Sequence, residues 1–174
     1  MYDRPASEEY FEYYGMYIDR VPDGDALEIL EREWDTTRAL LESVPQDRES
    51  YRYAPGKWSV REVVGHCLDV ERVFGVRALH FARGDQAPLP SFEQDWWAQE
   101  AGADGRTLRD LTAEWDALRR SHVLMFRGIP EPSRLRRGIA SGRSFSARCI
   151  PWIMAGHEIH HRTVLQELYG LGGV

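Results

Sequence analysis

Apolar residues recur at three- and four-residue intervals along four stretches of the chain, and Gly and Pro punctuate the gaps between them. The first stretch, from about Asp25 to Val44, puts Ala26, Ile29, Leu30, Trp34, Thr37, Leu40, Leu41 and Val44 on one face and stops before Pro45. Asp25 is placed to cap it, with Glu28 three residues on, much like a capping box. The second runs from about Ser59 to Ala82, with Val60, Val63, Val64, Cys67, Val70, Phe74 and Phe81 along one side. Ser59 and Glu62 give it an S-x-x-E start, and Arg83-Gly84-Asp85 ends it. The third, about Thr107 to Arg127, carries Leu108, Leu111, Trp115, Leu118, His122 and Met125, and Gly128 and Pro130 break it. The fourth runs from about Ser146 to Tyr169 and is ended by Gly170.

Between the second and third stretches, residues 84–105 contain Gly84, Pro88, Pro90, Gly102 and Gly105. A connection of that length is usually functional or partly helical. A short helix opened by Ser91 is expected around Asp95, Trp96 and Trp97. Residues 1–24, with Tyr2, Tyr10, Phe11, Tyr13, Tyr14 and Tyr17, read as an aromatic arm packed on the rest. No run of strand period competes with the helices. The pattern predicts an all-α fold, a four-helix bundle with one long crossover connection, in a single domain of 174 residues.

Composition narrows the function. Hydrophobic residues make up 43% and charged residues 29%, an ordinary globular balance. A formal net charge of −6 argues against nucleic-acid binding, which needs clustered cations; Arg119–Arg120 and Arg136–Arg137 are pairs, not a stripe. No apolar run approaches the ~20 residues of a membrane span. Met1 to Tyr14 carries Asp3, Glu8, Glu9 and Glu12 and no apolar segment, so no signal peptide is expected there and a cytoplasmic location is. Cys67 and Cys149 then read as reduced thiols used in core packing.

The histidines carry the chemistry. At about 100° per residue, with His157 as reference, Val164 and Ile153 lie about 20° and 40° to one side and His161 about 40° to the other. His157 and His161 therefore share the apolar face of the fourth helix, while His160 lies on its edge. His66 lies about 60° from the centre line of the second helix, inward but flanking. An i, i+4 pair lets two imidazoles reach one ion, and a third from a facing helix completes a three-ligand set. Three ligands with open positions suit a catalytic metal. Hydrogen-bonded core histidines, or an exposed helix end, would give the same spacing, so periodicity alone leaves both open.

Trp58-Ser-Val-Arg-Glu-Val-Val-Gly-His66-Cys-Leu-Asp69-Val-Glu71, with Gly156-His157-Glu-Ile-His160-His161 near the end, resembles the DinB-like (YfiT-like) metalloprotein superfamily. The Tyr-Tyr-Gly-Met-Tyr-Ile segment and Arg52-Tyr-Ala-Pro-Gly-Lys-Trp58 fit the same branch, and the resemblance spans about residues 25–169. It implies a bundle in up-down-down-up order holding a divalent metal, zinc or nickel, through His66, His157 and His161. It also implies metal-dependent transfer or isomerisation using low-molecular-weight thiols such as bacillithiol or mycothiol, and a homodimer. Three readings follow: transfer of a small thiol to an electrophile, hydrolysis at the metal, or a non-enzymatic metal-binding stress protein with an aromatic dimer surface.

Around the ligands, Asp69 is one turn beyond His66 and is expected to orient it or to accept a proton. Glu71, near the far edge of the same stripe, calls for an internal ion pair with an Arg. His160 reads as a neighbour of the site, His122 as a boundary residue or fourth ligand, and His80 as a surface residue. Trp96 and Trp97 pack the long connection or lid a pocket. Cys67 points about 100° away from His66 and is not expected to share the metal.

Overall fold

In the computed structural model, which describes residues 1–172, the chain forms α1 (Gly15–Ile18), α2 (Ala26–Glu42), α3 (Val60–Arg83), α4 (Gln94–Glu100), α5 (Leu108–Arg127), α6 (Glu131–Arg134) and α7 (Cys149–Glu167). A hairpin of β1 (Arg137–Ala140) and β2 (Arg143–Ser146) lies between α6 and α7. Helices α2, α3, α5 and α7 are the four expected from periodicity. Each of α2 and α3 packs on both α5 and α7. Helices α2 and α3, consecutive long helices in the chain, thus stand diagonally opposite across the bundle.

The ends of these helices follow from local chemistry. Ser59 Oγ accepts from Glu62 N at 3.1 Å and the Glu62 carboxylate accepts from Ser59 N at 2.7 Å, closing the capping box. Gly84 ends α3 at φ 77°, the left-handed conformation that glycine adopts without strain. Asp25 caps α2 through Leu27 N at 2.8 Å, and its other oxygen accepts from Tyr2 N at 2.6 Å. That second bond ties the chain's start to the bundle. Tyr2 is buried, its hydroxyl donates to Phe126 O, and Trp152 Nε1 donates to Tyr2 O. The aromatic arm is therefore largely part of the core, with Tyr13 exposed.

The hairpin corrects the expectation that strands are lacking. Arg137 pairs with Ser146 and Ala140 with Arg143, around a two-residue turn in which Ser141 (φ 52°) and Gly142 (φ 71°) both have positive φ. That is the turn whose twist suits a tight hairpin. Because Ser146 belongs to β2, α7 starts at Cys149 rather than at Ser146. Leu89 N donates to Ile139 O and Ser141 N donates to Leu89 O, which staples the long connection to the hairpin. The helix inside that connection starts after Glu93 rather than being opened by Ser91.

Two apolar clusters fill the bundle. One gathers Phe74, Phe81, Phe126, Trp152 and Ile153; the other gathers Trp34, Val63, Leu68, Trp115 and Leu165. Between the two clusters α3, α5 and α7 carry buried charge in place of apolar side chains, and α2 contributes a backbone carbonyl. There Arg119 donates to Glu71 Oε1 and Oε2 at 2.8 and 2.7 Å, to Glu158 Oε2 at 2.6 Å and to Leu30 O at 2.9 Å. The Glu71 ion pair anticipated from its position is thus made with Arg119. Burial alone would raise the Glu71 carboxyl, but the Arg119 charge and hydrogen bonds overcome it and hold Glu71 at about 2.

Candidate metal centre

Helix α3 presents His66 and α7 presents His157 and His161 at this same central level. His66 Nε2 is 3.2 Å from His157 Nε2, and His161 Nε2 is also 3.2 Å from His157 Nε2. The three ligand atoms all lie within 4.8 Å of one another. Nitrogens bonded to one zinc-sized ion at about 2.0–2.1 Å stand about 3.0–3.4 Å apart, so the spacing fits a shared cation. The hydrogen-bond arithmetic agrees. A neutral imidazole nitrogen carries either one proton or one lone pair, so His157 Nε2 cannot bond well to both neighbours at once. Three lone pairs aimed at one cation satisfy all three rings.

Electrostatics favours the same state. Burial lowers His66 to about 4, helped by the charge of His160. Burial also pushes His157 and His161 well below the usual imidazole range, and charge on the neighbouring histidines adds to it. The rings are therefore neutral near neutral pH, the form that ligates metals.

Close packing holds the ligands in place. A Cβ on Gly156 would lie 2.1 Å from Tyr17 O, so only glycine lets α1 come this near to α7. The approach sets the Tyr17 ring edge-on to His157, with centroids 5.3 Å apart. On the other side, the Trp58 ring covers His66 at 4.7 Å. Cys67 is buried, and burial holds its thiol well above the ordinary range; it faces a cavity of about 10 Å³ shared with Glu71, His157 and Glu158. That is space for about one water.

The cluster opens at His161 into a cavity of about 660 Å³. Arg52, Tyr53, Lys57 and Trp58 line it from the loop before α3, Asp95 and Gln99 from α4, and Tyr169 from beyond α7. The long connection does wall the site, but through Asp95 and Gln99. Trp96 and Trp97 line a separate cavity of about 260 Å³ with Asp69.

The other acids and histidines fall elsewhere. Asp69 Oδ1 lies 3.5 Å from Arg72, and among the described residues no hydrogen bond joins Asp69 to His66. Burial raises its carboxyl, against the pull of Arg72. His122 is not beside the three histidines: its Nδ1 is 3.4 Å from Glu71 Oε1 in the buried charge network. His160 lies outside the ligand-atom cluster with its ring edge-on to Tyr17. His80 is mostly covered rather than exposed, because its Nε2 bonds Ala87 O at 2.7 Å and pins the start of the connection.

Periodicity could not have found the pocket walls, which come largely from a loop and a short helix. Asp95 and Gln99 do share i, i+4 spacing, and Lys57 is the chain's one lysine; those were the available signals.

Known proteins bear on this arrangement. The DinB superfamily model matches residues 29–165. YfiT from Bacillus subtilis, described as a "probable metal-dependent hydrolase with an unusual four-helix bundle topology", is 16% identical with a TM-score of 0.72, over 94% of this chain and 90% of that one. A mycothiol-dependent maleylpyruvate isomerase is 13% identical with a TM-score of 0.67; the match takes in 86% of this chain and only 61% of the isomerase. The DinB-like protein YjoA, also from Bacillus subtilis, is 23% identical with a TM-score of 0.55, over 80% of this chain and 85% of that one. Comparison with curated protein sequences gives no match.

Proposed function

This chain belongs to the DinB superfamily, and from that premise we propose that it holds one divalent metal through His66, His157 and His161 and acts on a small molecule in the adjoining cavity. The observation that carries the reading is the convergence of three neutral imidazole nitrogens, two buried and the third, on His161, half-buried at the cavity. A bound divalent ion would supply Lewis acidity there and lower the pKa of a water or thiol. The chain's own residues do the rest. Trp58 and Tyr17 fix two of the rings, burial keeps all three deprotonated, and His161 gives the site its opening. Asp69 opens on the neighbouring cavity beside Trp96 and Trp97, so it is proposed as a proton acceptor that serves the centre from that side rather than by touching the His161 cavity, its raised pKa suiting that role.

Transfer of a low-molecular-weight thiol to an electrophile is the preferred reaction, supported by likeness to the mycothiol-dependent isomerase. Hydrolysis is the second reading, supported by the likeness to YfiT. The cavity beside the cluster favours an enzyme over a mere metal-binding protein. Zinc and nickel are the proposed ions and a homodimer the proposed assembly, to be checked by elemental analysis and light scattering. Each of His66→Ala, His157→Ala and His161→Ala should lose most of its metal; full occupancy in all three would end the ligand assignment. Turnover across a thiol panel separates the reactions: strict thiol dependence supports transfer, and turnover without thiol supports hydrolysis.

A further inference from the structure

The charged groups around the 660 Å³ cavity are not equally committed. Arg52 is paired with Glu62 and with Asp104, the latter at 2.6 Å. Glu62 also caps α3 through Ser59 N. His161 is neutral. That leaves Lys57 on one wall and Asp95 on another, and among the described residues neither forms an ion pair.

Lys57 is also anomalous in kind. Of 22 basic residues it alone is lysine, and every other cation is arginine. The difference is physical. A guanidinium is a rigid fork that locks onto nearby carboxylates, as Arg52 does. An ammonium is a compact charge on a flexible stem with three rotatable donors, so it stays available to a ligand. Among the described residues the ammonium's neighbour is the Tyr53 ring, 5.9 Å away.

We propose that the cavity takes a small molecule bearing a single carboxylate, held by Lys57 at the mouth while its reactive end faces His161, with Trp58, Tyr53 and Tyr169 covering its carbon frame. The proposal rests on the metal reading only for what happens at the floor. A carboxylate fits better than a phosphate: one ammonium matches one negative charge, and Asp95 opposes a second. A phosphate's second charge would need a further cation such as the guanidinium fork of Arg52, and that arginine is already paired.

A single lysine gives a direct readout. The protein, with and without zinc, is acetylated by a limiting amine reagent, and the rate at Lys57 is compared by mass spectrometry with that at the Met1 amine. The probes are 3-mercaptopropionate, its uncharged amide, and inorganic phosphate. The acid should slow acetylation of Lys57 and not of Met1, and the amide should not. By calorimetry Lys57→Gln should weaken 3-mercaptopropionate about fivefold, the worth of one partly exposed ion pair, and Lys57→Arg should restore part of it. The idea is overturned by equal protection from acid and amide, by phosphate protecting as well as the carboxylate, or by unchanged affinity in Lys57→Gln. Zinc content of the same samples tests the metal reading separately: if added zinc is not retained while the acid still protects Lys57, this inference stands and the metal reading falls.

Discussion

Replacing Glu71 by Gln probes the buried charge network on which the bundle's middle depends. The substitution keeps the shape, deletes the charge, and turns an amide NH₂ toward the Arg119 donors. Holding Glu71 at about 2 rather than its ordinary 4.5 corresponds to about 3 kcal/mol, at about 1.36 kcal/mol per pH unit. Glu71 is fully buried, so solvent does not discount that figure much, and it matches the ~3–5 kcal/mol typical of breaking a buried pair. With a urea slope of about 2–3 kcal/mol per molar, the unfolding midpoint of Glu71→Gln should fall by about 1–1.5 M. The folded-state pKa lies below the unfolded one, so the contribution is complete above about pH 4.5 and fades as the pH falls toward about 2. The gap between wild type and variant should therefore narrow through that window. Urea titrations followed by circular dichroism at several pH values provide the measurement. A loss under about 1 kcal/mol at neutral pH, or a gap unchanged on acidification, would refute the reasoning.

Glu158→Gln should cost less than Glu71→Gln, because burial outweighs Arg119 at Glu158 and leaves its carboxyl raised; paired denaturation curves decide the order. Gly156→Ala puts a methyl 2.1 Å from Tyr17 O and should cost about 1–3 kcal/mol by forcing α1 away, seen as a lower Tm and faster amide exchange in residues 15–18. Ser59→Ala removes the capping box and the bond to Asp104 and should cost about 1 kcal/mol, measured in the same urea assay. Because Trp58 lies against His66, nickel binding should quench part of the tryptophan fluorescence, and Trp58→Phe should remove that part without changing nickel content.

The four long helices could be read from the chain because their apolar residues repeat at helical period, and three of them, α2, α3 and α5, start at the capping residues Asp25, Ser59 and Thr107. His157 and His161 were legible for the same reason: both lie in an apolar stripe. His66 was not, since it flanks its stripe; the family resemblance singled it out and the fold brings it to 3.2 Å from His157. The hairpin leaves little trace in the pattern because its strands are four residues long, carry arginines and alternate only briefly; the Ser141-Gly142 turn is its one local mark. Asp69 looked close to His66 along one helix, but its side chain lies near Arg72 and opens toward Trp96 and Trp97. No local pattern reveals such a choice between neighbouring cavities.

The diagonal placement of α2 and α3 bears on how the protein is made. His66 and His157 are 91 residues apart in the chain, and α7 docks against α2 and α3 alike. At about 5–20 residues per second, a ribosome takes roughly 5–20 s to add the second helix's worth of ligands after the first. Throughout that interval the nascent bundle lacks one wall, His66 has no partner, and both apolar clusters stand open along the same seam. Seating α7 closes the seam and gathers the three imidazoles in one event. Metal capture by all three would then report that α7 has docked, making the centre a gauge of assembly as well as a place for chemistry.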